Sequence, residues 1–219
     1  MLAQSILLEF VRAVDPYGGA SGTEITASNI HSQDGEKWTA QQRLDIYNQA
    51  RFALLAALHA LPKVLMLQLS GALVVNKTDW QWTLSGSTST AAKPTGFIEF
   101  ISAETNGGVP MILLDQTLIS VVLKGDNPNY VQSASNIHIF EVGGNFIHFG
   151  TYVTSASNYK LQYVGLSRFT LTDVTTATAA QETFNDIYYP ALVDIATQIA
   201  NGATRDEAVQ WAAKRYIKA

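Results

Sequence analysis

The sequence predicts an α+β protein: a discontinuous helical bundle from the N- and C-terminal helices, with a large inserted antiparallel β section. Three observations predict it. Apolar residues recur at three- and four-residue spacings over residues 2–14 and 40–60, and again over 184–200 and 204–215. Residues 64–173 are instead rich in Val, Ile, Thr, Phe and Tyr, punctuated by Gly and Asn. Each helical stretch is too short to be stable alone in water, so each needs a partner for its apolar stripe. Packing the two terminal pairs together is the simplest solution. It divides the chain into a helical domain of residues 1–62 with 174–219 and an inserted β-rich domain or arm of residues 63–173.

The first helix is read from Leu2, Ile6 and Phe10, four apart, broadened by Leu7, Val11 and Val14, and Asp15-Pro16 stops it. Residues 16–35 are rich in Gly, Ser and Asn and read as a long loop, anchored by Ile25 and Ile30. Thr39 with Gln42 forms a capping box, which starts a helix running from Ala40 to about Ala60. Its stripe is Leu44, Tyr47, Arg51, Leu54, Leu55, Leu58 and Leu61, with Arg51 reaching outward by its stem, and Pro62 ends it. Trp38, Tyr47, Leu54, Ile195 and Trp211 are the expected core anchors of the helical part.

In the middle section the expected strands are 73–75, 80–84, 96–101, 109–113, 118–123, 137–142, 146–149 and 159–163. Asn106-Gly107-Gly108, Asn127-Pro128 and Gly143-Gly144-Asn145 read as turns. Residues 86–94, rich in Ser, Thr and Ala, read as an exposed loop or arm. After a threonine-rich linker, Phe184, Ile187, Tyr188, Ala191, Ile195 and Ile199 resume helical spacing. Pro190 divides a short turn from the helix proper, and Asn201-Gly202 stops that helix. Thr204 and Glu207 form a second capping box.

Composition narrows the function classes. Charged residues are only 15% of the chain, so much of the surface is Thr, Ser, Asn and Gln. Such a surface suits stable protein contacts, where desolvating charge would be costly. The net charge of −4 argues against wrapping nucleic acid over a broad surface. With no cysteine, disulfides, thiolate metal sites and cysteine nucleophiles are excluded. The first residues make a poor signal peptide, and no apolar run has membrane-spanning length.

The search for chemistry gives no catalytic, cofactor-binding or metal set. His138 and His148 lie on adjacent expected strands and would face each other if the register allowed; ordinary sheet histidines are the default reading. Gly18-Gly19-Ala20-Ser21-Gly22 lacks both the lysine and the preceding strand of a phosphate loop. Asp173, Glu182 and Asp186 are not paired for acid–base work, and a solvated helix start accounts for the last two. Trp80 and Trp82 share a strand face. With Tyr130, Tyr152 and Tyr159 they could form an aromatic platform for sugar or a peptide, with core or subunit-interface packing as the default reading; Trp80, Trp82, Tyr130 and Tyr152 are the interface candidates.

The residues Ser5-Ile6-Leu7-Leu8-Glu9-Phe10-Val11-Arg12, a loop, then Trp38-Thr39-Ala40-Gln41-Gln42-Arg43-Leu44-Asp45-Ile46-Tyr47-Asn48-Gln49-Ala50 resemble the opening of head-to-tail adaptor (connector, head-completion) proteins of tailed bacteriophages. Asn158–Val164 looks like that family's final strand, and Tyr189-Pro190-Ala191-Leu192-Val193 like its closing helix. The loop after the first helix is longer than the pattern, and the β insertion is large. The resemblance implies a structural virion protein with no catalytic residues. It implies self-association into a ring, usually dodecameric, between the portal protein and tail or nozzle proteins, with passive contact with passing double-stranded DNA and none with membrane. It places the protein at the head–tail junction, assembled in the host cytoplasm. The alternatives are another tail or capsid accessory protein with a β binding module, and a hydrolase using dispersed carboxylates.

Overall fold

The computed structural model describes residues 1–19, 22–58, 74–81, 83–85, 88–105, 107–124, 137–149 and 158–216. It is an α+β protein of two compact units, Met1–Leu73 with Arg168–Ala219, and Val74–Ser167.

The helical unit joins both ends of the chain. Leu2 forms a β-bridge with Gln181, the Ala3 N–H donates to the Ala180 carbonyl at 2.9 Å, and the Glu182 N–H donates to the Met1 carbonyl at 3.1 Å. Helix α1 (Ala3–Val14) starts from this tie. Of the four-apart residues, Ile6 and Phe10 have no exposure, whereas Leu2, which precedes the helix, is half-buried. Helix α2 (Ala40–Leu58) opens with the expected capping box: the Thr39 N–H donates to Gln42 Oε1 at 2.9 Å, and the Gln42 N–H to Thr39 Oγ1 at 3.2 Å.

Helix α2 is more than the amphipathic helix its sequence suggests. Ala50, Ala53, Leu54 and Leu58 have no exposure, and Leu55 and Ala57 almost none. Arg51, expected to reach outward, is also buried. This is a central helix, wrapped on most of its circumference, and the alanines let neighbouring backbones approach closely. Helices α4 (Tyr189–Ala200) and α5 (Arg205–Tyr216) both pack on α2, and α4 also packs on α1. Pro190 sits in the first turn of α4, where its missing N–H costs nothing, preceded by a 3₁₀ turn over Asp186–Tyr188. The Thr204–Glu207 box caps α5, with the Thr204 N–H donating to Glu207 Oε2 at 2.8 Å.

The second unit is a sheet of eight strands: β1 (Val74–Gln81), β2 (Thr83–Ser85), β3 (Thr88–Ala92), β4 (Phe97–Thr105), β5 (Pro110–Leu114), β6 (Ile137–Val142), β7 (Asn145–Phe149) and β8 (Asn158–Gly165). Their order is β1-β8-β4-β5-β6-β7-β3-β2. The outermost strands are thus sequence neighbours, separated by one residue. Two Cα steps span at most about 7.6 Å, and β1 also approaches β3 within 8 Å. The sheet therefore curls round until its edges meet. Its interior holds Met111, Ile139, Phe146, Tyr159, Leu161 and Tyr163 among others.

Three expectations are corrected here. The sheet is mixed, not wholly antiparallel, because β5 and β6 pair in parallel from Met111↔Ile137 to Leu114↔Phe140. Parallel neighbours need a long crossover, and residues 115–136 supply it. The expected strand over 118–123 lies within that crossover as a 3₁₀ turn (Gln116–Leu118) leading into a short helix, α3 (Ile119–Lys124). Asp115 Oδ1 accepts the Thr117 N–H at 2.8 Å and caps this turn, so a local start signal outweighs the strand preference of Val121 and Val122. The supposed arm at 86–94 contains β3, paired with β7, and its Ser89 and Ala91 are buried. The Gly143-Gly144 turn does join β6 to β7, with Gly143 at φ +56°, where a side chain would be strained. The Asn127-Pro128 turn lies outside the described residues.

Candidate functional site

The densest constellation of chemistry lies inside the helical unit. It is built on α2 and the segments that follow the sheet. Arg51, one turn beyond Tyr47, meets Glu182 in a two-pronged ion pair: Nε lies 2.9 Å from Oε2, and Nη2 lies 3.1 Å from Oε1. The Tyr47 hydroxyl donates to Oε2 at 2.7 Å, and the Thr183 N–H donates to Oε1 at 2.8 Å. The far face of the guanidinium stacks on Phe169, 3.8 Å from its ring centroid. Asn48, on the same face of α2, grips Phe169 by both backbone groups: its amide donates to the carbonyl and its Oδ1 accepts the N–H, each at 2.9 Å.

Tyr47, Asn48, Arg51 and Glu182 are buried, and Phe169 is half-buried. Burial pushes the Tyr47 hydroxyl well above its ordinary pKa, and the Glu182 charge pushes it further. A carboxylate offers about four lone-pair sites, and those of Glu182 are filled by donors from its own chain. A saturated, dry carboxylate has nothing left to offer a substrate. What this arrangement does is lock residues from opposite ends of the sequence in one geometry. The expectation that Glu182 belongs to a solvated helix start is therefore corrected, whereas Asp186 is exposed, with its side chain at 83%.

A second buried carboxylate organises the long loop. Asp15, just past α1, accepts the backbone N–H groups of Glu36, Lys37 and Trp38 at 3.0, 3.1 and 3.2 Å. Arg43 Nη1 stands 3.8 Å from Asp15 Oδ2, and the Arg43 side chain donates to the Gln33 carbonyl. Burial lowers the Arg43 pKa, against the opposing pull of Asp15 and Asp34. Gly35 is required where it stands, because a Cβ there would lie 1.9 Å from Asp15 Oδ2 and 2.8 Å from Arg43 Nη1. The helix-stopping Asp15 and the start of α2 are thus one assembly.

In the β unit, His148 lies opposite Ser89 and His138 opposite Ile112. The β6–β7 register, with Phe140↔Ile147 and Glu141↔Phe146, extends to place Ile139 beside His148. The two histidines therefore point to opposite faces of the sheet and do not confront each other. Both are buried. Burial brings the His148 pKa down to about 4, with a further push from nearby His138.

Of the expected core anchors, Tyr47, Leu54 and Ile195 have no exposure. Trp38 is half-buried with the Lys37 ammonium 5.6 Å from its ring, and Trp211 is half-buried against Tyr216 and Arg215 at 5.8 and 5.2 Å. Trp80 is on β1 opposite Tyr159. Trp82, Tyr130 and Tyr152 lie outside the described residues. Sequence reasoning missed Asn48 and the buried roles of Asp15, Arg43, Arg51 and Glu182. The only signal was polarity within or beside an apolar stretch.

Among the described residues, no three metal-ligating side chains converge, and no helix is long and apolar enough to cross a membrane. The described hollows are open: one is lined by Leu113, Asp115 and Glu141, another by Gln198, Glu207 and Trp211 at the α4–α5 turn. Neither includes a member of the buried ionic cluster. No protein-family model matches the sequence, and no curated protein matches it.

Proposed function

We propose that this chain is a structural subunit of a tailed-phage virion, a head-to-tail adaptor that assembles into a ring between portal and tail proteins and extends the DNA channel. The observation that carries the reading is the interlocking of the chain's two ends. The stretch that resembles the adaptor opening, residues 5–12 and 38–50, packs with the stretch that resembles its closing helix, through α1, α2 and α4. The buried polar cluster holds that body rigid, which suits a structural subunit better than a catalyst. The low charge fits a surface that is largely covered in an assembly.

Mass photometry of the purified chain, alone and mixed with the portal and tail proteins of the same virus, tests this. The expected result is a discrete ring-sized species, formed alone or on the portal, and visible as an annulus by electron microscopy. A chain that stays monomeric in every mixture overturns it. Binding to a capsid or tail-fibre component without ring formation would instead identify a virion accessory protein.

A further inference from the structure

We propose that Asn201-Gly202 is a self-modifying site: when the α4–α5 turn opens, the Gly202 backbone nitrogen attacks the Asn201 side-chain amide, and the isoaspartate that results keeps the turn from closing again.

The local geometry carries the argument. Asn-Gly pairs occur in the sequence at 106–107 and 201–202. The second pair caps the C-terminus of α4, with both residues exposed and both lining the open hollow at this turn, so water reaches them. Gly202 has φ +98°, and the space a Cβ would take there is empty, so nothing screens its nitrogen once the turn opens. The closed turn holds the reacting groups apart. Asn201 sits at φ −84° and ψ 8°, which turns the Gly202 nitrogen toward the Asn201 backbone nitrogen and away from its side chain. The Gly202 N–H also donates to the Ile199 carbonyl, and the Ala203 N–H to the Gln198 carbonyl, each at 3.0 Å. Attack needs ψ of Asn201 to rotate, and that rotation breaks both bonds. The fold therefore gates the chemistry.

The reaction needs no partner but water. The bond from the Gly202 nitrogen to Asn201 Cγ forms and the Cγ–Nδ2 bond breaks. Nδ2 leaves as ammonia with the proton that the Gly202 nitrogen gives up. The cyclic imide then takes up a water. Cleavage at Cγ leaves aspartate, and cleavage at the backbone carbonyl leaves isoaspartate, whose main chain runs through Cβ and Cγ. The extra backbone atom falls in the short link between Ala200 and Arg205, so the capping bonds cannot re-form in register. Either product also places a carboxylate at the negative end of α4, in the hollow that Glu207 lines, where both the helix dipole and a like charge oppose it. Helix α5 is thereby loosened from α2, on which it packs.

Peptide mapping by mass spectrometry of the full chain, aged in neutral buffer and in concentrated urea, tests the proposal. Conversion at Asn201 should be about tenfold slower in the folded chain than in urea, or slower still. Equal rates overturn the proposal. Thr204→Ala removes the α5 cap and should speed conversion in the folded chain about fivefold, the weight of one lost cap. An unchanged rate overturns it. Sub-denaturing urea gives the same readout without a substitution: conversion should rise in step with hydrogen exchange of the Gly202 amide, and conversion that ignores that exchange overturns it. In the converted chain, separated by chromatography, the amides of α5 should exchange faster than in the unconverted chain, and equal exchange overturns it.

Discussion

The two units solve the same problem by different means. The β unit is held by backbone ladders between strands and by an interior in which Phe146 meets Phe97 and Phe100 at ring separations of 5.4 and 5.6 Å. Among the described residues the helical unit shows isolated β-bridges and no extended ladder, because helices satisfy their own backbones and recognise one another mainly through side chains. Its specificity lies in polar bonds between residues far apart in sequence: Arg51 with Glu182 is separated by 131 positions, and Asn48 with Phe169 by 121. A sheet obtains long-range order from repetition, whereas an interrupted helical bundle obtains it from a few buried, directional contacts. Such contacts are unforgiving when one partner is lost.

The largest effect is expected for Glu182→Ala. It strands Arg51 in a dry core and should destabilise the helical unit by about 4 kcal/mol. Denaturant titration should show the loss in the helical signal, with the β-unit transition little changed. The double variant Arg51→Met, Glu182→Leu should cost clearly less than Glu182→Ala, since it removes both charges. If it costs more, the pair is a true source of stability and not a specificity device. Phe146→Ala is the converse probe. It empties a fully buried ring site in the β unit, and the expected cost of about 3 kcal/mol should appear in that unit's transition alone. Gly35→Ala forces a methyl group into the Asp15–Arg43 contact and should cost about 2 kcal/mol by thermal melting. A neutral result would mean that the 15–43 loop yields more easily than its hydrogen bonds imply. The smallest effect is expected for Thr204→Ala, about 1 kcal/mol for one cap, with fraying of α5 visible by circular dichroism.

How much was legible varies with the range of the interaction. Both capping boxes could be read because Thr39–Gln42 and Thr204–Glu207 are local pairs three residues apart. The stops at Asp15 and at Asn201-Gly202, and the turn at Gly143-Gly144, were legible for the same reason. Where propensity and context disagreed, the reading failed. Residues 88–92, Thr-Ser-Thr-Ala-Ala, carry little apolar area, and it is pairing with β7 and β2 that makes them a strand. Val121 and Val122 favour a strand, yet they fall in the helical crossover that a parallel pair requires. Arg51 and Glu182 each read as surface groups, because charge alone gives no hint of a partner 131 positions away.

Linear order alone sets the local vocabulary: where helices start and stop, which segment is strand-rich, that thiol chemistry is impossible, and that the terminal helices cannot stand alone. Those properties depend on neighbours within a turn or two, so a linear reading reaches them. Long-range packing sets the rest: α2 is enclosed on most sides, the sheet curls until β1 and β2 bring its edges together, and the two histidines lie on opposite faces. These outcomes depend on register and on packing across the whole chain, where a one-residue shift reverses every side chain's facing, and no short stretch of sequence contains that information.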